Sequence, residues 1–403
     1  MKLYKKHISD LGKVITGKTP RTSILENYGG KIPFLTPSDN LSEKFSPTTS
    51  KTLTKIGLNE VKNCLLPSKS ICVSCIGSDL GKVVLTKKPT VTNQQFNSIV
   101  PNEENDADFI YYLMTVVGKY LNYLSKTSTA VPIINKSTFA NYEIEIPNIK
   151  EQKRIGKILS SLDDKIELNR RINDNLEQQA QALFKSWFVD NPDSNWANTS
   201  LSEVASFVGG YSYKGEELTD FSNVAMATIK NFGRHRGFKA EGFKGINPSA
   251  KLKECHYVNL FDILVAHTDL TQNADVIGNA ELLLTYGKYN SIIFSMDLVK
   301  VLPKEIFPYS FLLAAMLKNK MFKGHCLGYI NGTTVLHLNK KALPEFEIRK
   351  PSDSEAKIMN ETLAPYYKRM AKLLQETDKL ISLRDTLLPK LMSGEVKINE
   401  TNN

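Results

Sequence analysis

Long apolar runs are absent from these 403 residues. No stretch reaches the ~18 residues of a membrane-spanning helix, so no such helix is expected. Behind the basic start Met1-Lys2-Leu3-Tyr4-Lys5-Lys6-His7 there is no apolar segment, so secretion is not expected and a cytoplasmic location is. Cysteine is scarce and odd in number, five in all, which does not suggest a disulfide framework. Cys72 and Cys75 have the spacing of a metal or redox pair, but residues 70–76 read as a strand, where positions three apart face opposite ways. Cys255-His256 is isolated, so no zinc site is expected. Six scattered histidines without His-Glu-x-x-His argue against a metal hydrolase. There is no Gly-x-x-x-x-Gly-Lys-Ser/Thr phosphate loop and no Gly-x-Gly-x-x-Gly fingerprint. Asn191-Pro192-Asp193 begins like the Asn-Pro-Pro-aromatic motif of amino-methylating enzymes, yet lacks the second proline and the aromatic. Together these absences leave no visible active site.

What is present is positive charge and an internal repeat. Lysine and arginine outnumber the acids 52 to 42, a net charge of +10, which suits a polyanionic partner. The long helical patterns mix acidic and basic residues on their polar faces, which favours nucleic acid over a membrane surface. Thr129-Ala130-Val131-Pro132-Ile133-Ile134-Asn135-Lys136 is echoed 204 residues on by Thr333-Thr334-Val335-Leu336-His337-Leu338-Asn339-Lys340. The same step lays Tyr142-Glu143-Ile144 on Phe346-Glu347-Ile348. A period this long is no solenoid, whose units are ~20–50 residues. It implies two related domains, each followed by its own helix. Leu201-Ser202-Glu203-Val204 opens the second copy as Leu11-Gly12-Lys13-Val14 opens the first, and a late helix is expected over 106–124 and again over 308–320.

The helices themselves repeat in register. Ile155, Leu159, Leu162, Ile166, Asn169, Asn173, Leu176, Ala180, Leu183 and Trp187 alternate steps of four and three, and each has a counterpart 204 residues on, from Met359 to Leu391. A 3.5-residue period over four heptads predicts a coiled-coil seam. Its polar positions Asn169, Asn173, Thr377 and Arg384 would fix register. Pro365 predicts a helix start or kink near 363–365, and Pro389 an end or bend near 387 that puts the seam role of Leu391 in doubt. The expected class is α+β: two tandem domains of mixed strands plus a helix, with two long helices paired as an antiparallel coiled coil in a pseudo-two-fold arrangement. The divisions fall at 1–148, 149–190, 191–351 and 352–403.

Several segments resemble the specificity (S) subunits of type I restriction–modification systems. These are Leu11-Gly12-Lys13-Val14-Ile15-Thr16-Gly17-Lys18-Thr19-Pro20, Gly30-Lys31-Ile32-Pro33-Phe34-Leu35-Thr36-Pro37-Ser38-Asp39, and residues 66–97 with Gly77, Gly81 and Asn93-Gln94-Gln95-Phe96. Ile146-Pro147 followed by Glu151-Gln152-Lys153-Arg154-Ile155, then Leu183-Phe184-Lys185-Ser186-Trp187-Phe188, is the most specific of them. The resemblance implies two target-recognition domains, each reading half of a split site in double-stranded DNA, with the helices as spacer. It also implies separate modification (methyltransferase) and restriction subunits, using S-adenosylmethionine and ATP respectively, with no cofactor bound by this chain and no catalysis in it. The second copy departs from the pattern: Val208-Gly209-Gly210-Tyr211-Ser212 stands for Thr16-Gly17-Lys18-Thr19-Pro20, with Gly209 as the retained glycine, and the Ile-Pro-Phe segment has no evident counterpart. The rival readings are a stand-alone binder of split DNA sites without methylase partners and, more remotely, a methyltransferase or nuclease in its own right.

Phosphates are met by lysine and arginine, and base edges by amides and guanidinium groups. In the first domain the candidates are Lys18, Thr19 and Arg21, then Ser38 and Asn40, then Asn93, Gln94 and Gln95, although the last three also suit a capped turn. In the second, Lys230-Asn231-Phe232-Gly233-Arg234-His235-Arg236-Gly237-Phe238-Lys239 reads as a basic hairpin tip. Its candidates are Lys230, Asn231, Arg234, His235, Arg236 and Lys239, with Gln272 and Asn273, beside Asp269, as weaker ones.

Overall fold

The computed structural model describes residues 1–45, 48–77, 79–126, 133–234 and 237–396. The chain forms two compact units, one from Met1–Ile166 with Leu380–Asn403, the other from Glu167–Lys379. Both mix strands and helices, in keeping with the α+β class and the tandem repeat. The first four residues of the repeated motif, 129–132, lie outside the described residues.

The first unit holds two four-stranded sheets and a ribbon. The ribbon pairs β1 (Tyr4–His7) with β10 (Glu143–Ile146). One sheet runs β2 (Gly12–Thr16), β9 (Phe96–Pro101), β6 (Ile71–Ser74), β7 (Val83–Leu85), antiparallel throughout. The other runs β4 (Lys51–Leu53), β3 (Tyr28–Leu35), β8 (Thr90–Thr92), β5 (Leu65–Leu66), with β3 and β8 parallel. Strand β6 is buried on both faces, and its alternation divides it between two cores. Ile71, Val73 and the following Cys75 pack with Phe109, Ile110 and Met114 of the helix Ala107–Lys126. Cys72 packs the other way, with Leu35, Leu66 and Phe96. The two thiols face apart as their spacing requires, and burial pushes Cys72 up to about 12.

The second unit repeats this topology strand for strand. A ribbon pairs β11 (Ala197–Ser200) with β23 (Glu347–Lys350). One sheet runs β12 (Ala205–Gly209), β20 (Leu298–Pro303), β16 (Ile263–Ala266), β18 (Ala280–Leu282); the other runs β14 (Lys244–Gly245), β13 (Val224–Ala227), β19 (Ser291–Phe294), β15 (Tyr257–Val258), with β13 and β19 parallel. It also holds a three-stranded sheet of β17 (Thr268–Asp269), β22 (Leu336–Leu338) and β21 (Ile330–Asn331), where the described residues of the first unit show the bridge Ile76–Ile133. The late helix is not continuous here. It splits into Ser310–Leu317 and Lys320–Leu327, because Asn319 turns its side chain onto the N–H groups of Met321 and Phe322 and caps the second piece.

Register also recovers the segment that the sequence hides. Thr36 N–H donates to the Asp39 carboxylate just past β3, and Thr228 N–H donates to Asn231 Oδ1 just past β13. The counterpart of Ile32-Pro33-Phe34 is therefore Val224-Ala225-Met226. Only its apolar character survives, which is all a buried strand demands.

The long helices run Ile149–Lys185 and Asp353–Ser393. Neither proline interrupts the second. It begins ten residues before the expected start, passes Pro365 and Pro389, and keeps Leu391 buried at 2% exposure. The ring of Pro365 removes one i→i−4 bond at ~3 kcal/mol, and the flanking Leu363, Tyr367 and Met370, all buried, offset it. In the first unit Ile155 and Leu159 share a core with Leu388 and Leu391, and Asp163 accepts from Arg384 Nη1 at 2.7 Å. In the second, Asn169 Nδ2 reaches Glu376 at 3.1 Å and Thr377 at 3.4 Å, while Ala180 and Phe184 share a core with Leu363 and Tyr367. Numbers rise along one helix as they fall along the other, so within each unit the pairing is antiparallel.

Asp163 also accepts from the buried Tyr112 hydroxyl. Burial and this carboxylate push Tyr112 far above its ordinary value, and Arg384 rises despite burial because Asp163 and Asp385 hold its charge. Asp163→Ala strands both partners and is expected to lower stability by about 3 kcal/mol in urea denaturation. Asp164→Ala, one residue on and exposed, should change it by less than about 0.5 kcal/mol.

Candidate nucleic-acid interface

Three stretches of the first unit meet beyond the end of β6. Cys75 N–H donates to Gln95 O at 2.8 Å, and Ile134 N–H to Cys75 O at 2.9 Å. Asn97 closes the join, accepting from Thr16 Oγ1 at 2.6 Å and donating to Ile134 O at 3.1 Å. Gly17 lies against the turn so closely that a Cβ there would stand 2.2 Å from Asn93 O. The chain past it is pinned by Lys18 N–H on Thr92 O at 3.0 Å and by Thr19 Oγ1 on Gln94 Oε1 at 2.7 Å.

This junction gathers Lys18, Thr19, Gln94 and Gln95, with Lys18 and Gln94 exposed. Asn93 is buried and closes the turn, accepting Gln95 N–H at 3.1 Å and donating to Gln95 Oε1 at 2.8 Å. The cap expected as the alternative role is what its side chain forms. Arg21 is exposed but engaged: Nε and Nη2 donate to Glu60 Oε1 at 3.0 and 2.8 Å, and its N–H to Oε2 at 3.0 Å. Those bonds hold the Glu60 carboxyl down at about 2. Ser38 and Asn40 bond within their own loop, Ser38 with Thr36 Oγ1 at 2.7 Å and Asn40 with Ser42 N–H at 3.0 Å.

A lysine outside the expected set joins the group. Lys136 is exposed and stands two residues beyond Ile134, whose N–H closes the junction on Cys75 O. Lys136 closes the repeated motif, and Lys340 is its counterpart, so the echo itself was the available signal.

The second unit builds the same junction with different side chains. His267 N–H donates to Asp297 O at 2.8 Å, and Leu338 N–H to His267 O at 2.9 Å. Burial, with His337 and Lys340 nearby, lowers the His267 imidazole from its ordinary value. A Cβ on Gly210 would lie 2.0 Å from Ser295 O, whereas Gly209 faces open space. Gly210, and not Gly209, is therefore the partner of Gly17. At the turn tip, where the first unit shows Gln94, stands Met296 at 57% exposure, with Leu270 at 66% on a neighbouring loop. Residue-type reasoning passed over both, since exposed apolar groups carry no charge or amide to mark them.

The Leu270 loop is organised by Asp269. Burial would raise its carboxyl, but donors from Val276, Thr271 and Ile277 bring it below the ordinary value. Gln272 Nε2 fastens the loop to Thr333 O at 2.5 Å, and Asn273 is exposed.

The basic segment is a small hairpin. Phe232 bridges Phe238, Gly233 N–H donates to Gly237 O at 2.8 Å, and Lys230, Arg234 and Lys239 are exposed. Asn231 is fully buried, accepting from Thr228 N–H and donating to Lys239 O at 2.8 Å, so its amide holds the hairpin's base. Arg234 lies 3.8 Å from Asp275. His235 and Arg236 lie outside the described residues. In both units cations flank an exposed turn carried on a buried frame. No group of His, Cys, Asp and Glu suited to a metal occurs among the described residues.

Residues 2–178 match the family model of the type I restriction modification DNA specificity domain. The type I restriction enzyme MjaIX specificity subunit of Methanocaldococcus jannaschii is 26% identical over 418 residues, 98% of this chain and 94% of that one. The HindI specificity subunit of Haemophilus influenzae is 38% identical over 176 residues, 42% of this chain and 38% of its own. The crystal structure of the type-I restriction-modification S subunit from M. genitalium has the same fold, with a TM-score of 0.56 at 18% identity over 97% of this chain and 96% of that one.

The two adjacent glycines give a direct check on the register. Gly210→Ala should cost about 1–3 kcal/mol through overpacking against the Ser295 carbonyl. Gly209→Ala should change the unfolding midpoint by an amount equivalent to less than about 0.5 kcal/mol.

Proposed function

We propose that the chain, whose residues 2–178 match the type I restriction modification DNA specificity domain, recognises DNA sequence and reads a split site, one half with each unit. The two long helices set the number of unread base pairs between the halves, and the chain directs separate methyltransferase and restriction subunits to the DNA in the cytoplasm. S-adenosylmethionine and ATP then serve those subunits. The observation that carries this reading is the junction built twice on one backbone plan, with Gln94 exposed at its tip in one unit and Met296 in the other. One frame with two chemistries is what reading two different half-sites requires.

The roles divide by chemistry. Gln94 can bond an adenine edge through both amide atoms, whereas Met296 and Leu270 offer apolar contact to thymine methyl groups. Lys18 and Lys136, and in the second unit Lys230, Lys239 and Lys340, meet phosphates. Gln94→Ala should relax selectivity at one base position by about 1–3 kcal/mol. Lys18→Ala and Lys136→Ala should each weaken binding to all sequences alike and lower the salt slope by ~1. Titrations on a panel of duplexes at several salt concentrations separate the two patterns.

Two measurements test the whole. A map of methylated adenines in host DNA should lose one split motif when the gene is deleted; an unchanged map counts against the reading. Inserting seven residues into each long helix adds about 10 Å of helix. It should lengthen the unread spacer by roughly three base pairs at ~3.4 Å each and leave both half-sites unchanged. Altered half-sites with the old spacer would reject the helices as the ruler.

A further inference from the structure

The hairpin of the second unit is gripped at both of its glycines by side chains from edge strand β18 and the residue just before it. Gly233 O accepts from Asn279 Nδ2 at 3.2 Å, and Gly237 N–H donates to Glu281 Oε1 at 2.7 Å. Residues 279 and 281 lie two apart at strand β18, so both face the hairpin. Each is backed by a lysine from the split helix behind. Lys323 Nζ donates to Asn279 Oδ1 at 2.8 Å. Lys318 Nζ donates to Glu281 Oε2 at 2.6 Å and to Glu177 Oε2 at 3.0 Å.

The second arm is almost dry. The side chains of Glu281 and Lys318 are 3% and 4% exposed, and Lys318 Nζ sits 5.9 Å from the centre of the Tyr367 ring. Glu177 belongs to one long helix and Tyr367 to the other. Two carboxylates share one ammonium, an expensive arrangement to bury. A core that needed only packing would not require an acceptor facing the Gly237 N–H.

We infer that Glu281 is a positioning residue for DNA recognition by the second unit: it fixes the attitude of the basic hairpin through Gly237, and Lys318 refers that attitude to the long helices. This rests on the recognition reading above and adds to it a residue that touches no DNA. The hairpin presents Lys230, Arg234 and Lys239, whose reach to phosphates and bases depends on where the backbone at Gly233 and at Gly237 is held. A free hairpin would have to be ordered on binding, at a cost in affinity and in discrimination.

The test uses the full chain with its co-purifying subunits and three proteins: wild type, Glu281→Leu, and Glu281→Leu with Lys318→Met. The double variant removes the two most deeply buried charges and leaves Glu177, which is 16% exposed and still accepts from Gln181, so its melting temperature should return part-way toward wild type. Two readouts should not return. Hydrogen exchange over residues 230–240 should be faster in both variants, and selection from a randomised duplex pool should lose about tenfold of its base preference in one half of the site only. Full recovery of both by the double variant would reduce Glu281 to a packing role and overturn the inference. Unchanged exchange in Glu281→Leu would overturn it as well. If the wild-type assembly selects no sequence at all, the recognition reading fails and this inference fails with it, whatever the exchange data show.

Discussion

A methyl group has no room at Gly17 or at Gly210, where the nearest carbonyl oxygens lie 2.2 and 2.0 Å from the position a Cβ would take. That backbone-to-backbone approach presses the strand leaving β2 or β12 onto the turn leaving β8 or β19. The turn then lies within reach of the β6 or β16 end, whose amide meets the carbonyl of Gln95 or Asp297. The repeated Asn-Lys motif closes the join from the other side, through Ile134 or Leu338. Every exposed group assigned to the turn tip depends on this contact. Only backbone atoms and one absent side chain are required, which is why the rest of the sequence was free to change.

The helical seam shows the same economy with different means. Apolar positions supply the packing, while Asp163 with Arg384 and Asn169 with Thr377 fix which residues meet. Polar seam positions of this kind trade stability for register. Pro365 shows how much the apolar seam tolerates: a residue that should end a helix is carried through by buried neighbours on both sides.

The long-range plan was legible in the sequence because it repeats. The 204-residue echo, the heptads and the strand-like runs all have periods that residue types reveal. What was hidden depended on space or partners. Ile-Pro-Phe and Val-Ala-Met are unrelated as words but equivalent as buried strand. Which of two adjacent glycines was essential turned on a carbonyl from a distant strand. Arg21 and Asn231 have the right chemistry for DNA, yet Glu60 occupies one and burial encloses the other. Met296 and Leu270 are the converse, ordinary residues made conspicuous by exposure at a defined place. Pro365 and Pro389 do not mark helix boundaries, because tertiary packing overrides local propensity at both.

The two units also differ in what holds their loops, and that difference has consequences. At its turn tip the first relies on neutral bonds, such as Thr19 to Gln94, each worth on the order of 1 kcal/mol, and nearby on the surface ion pair of Arg21 with Glu60. Surface bonds of this sort can be exchanged one at a time, so the loop can drift in sequence without collapse. The second sinks charge into the fold: Asp269 under four donors, and Glu281 on Lys318. Buried charge is costly to assemble and more costly to leave half made, so those residues must change together or not at all. The first unit's loop bonds can therefore change by small steps, while the second unit's basic hairpin is locked to the interior. The asymmetry is confined to the turn tip and the hairpin, since the backbone plan beneath the two sets of loops is the same and the first unit also buries a charge, Lys44 on Asp108.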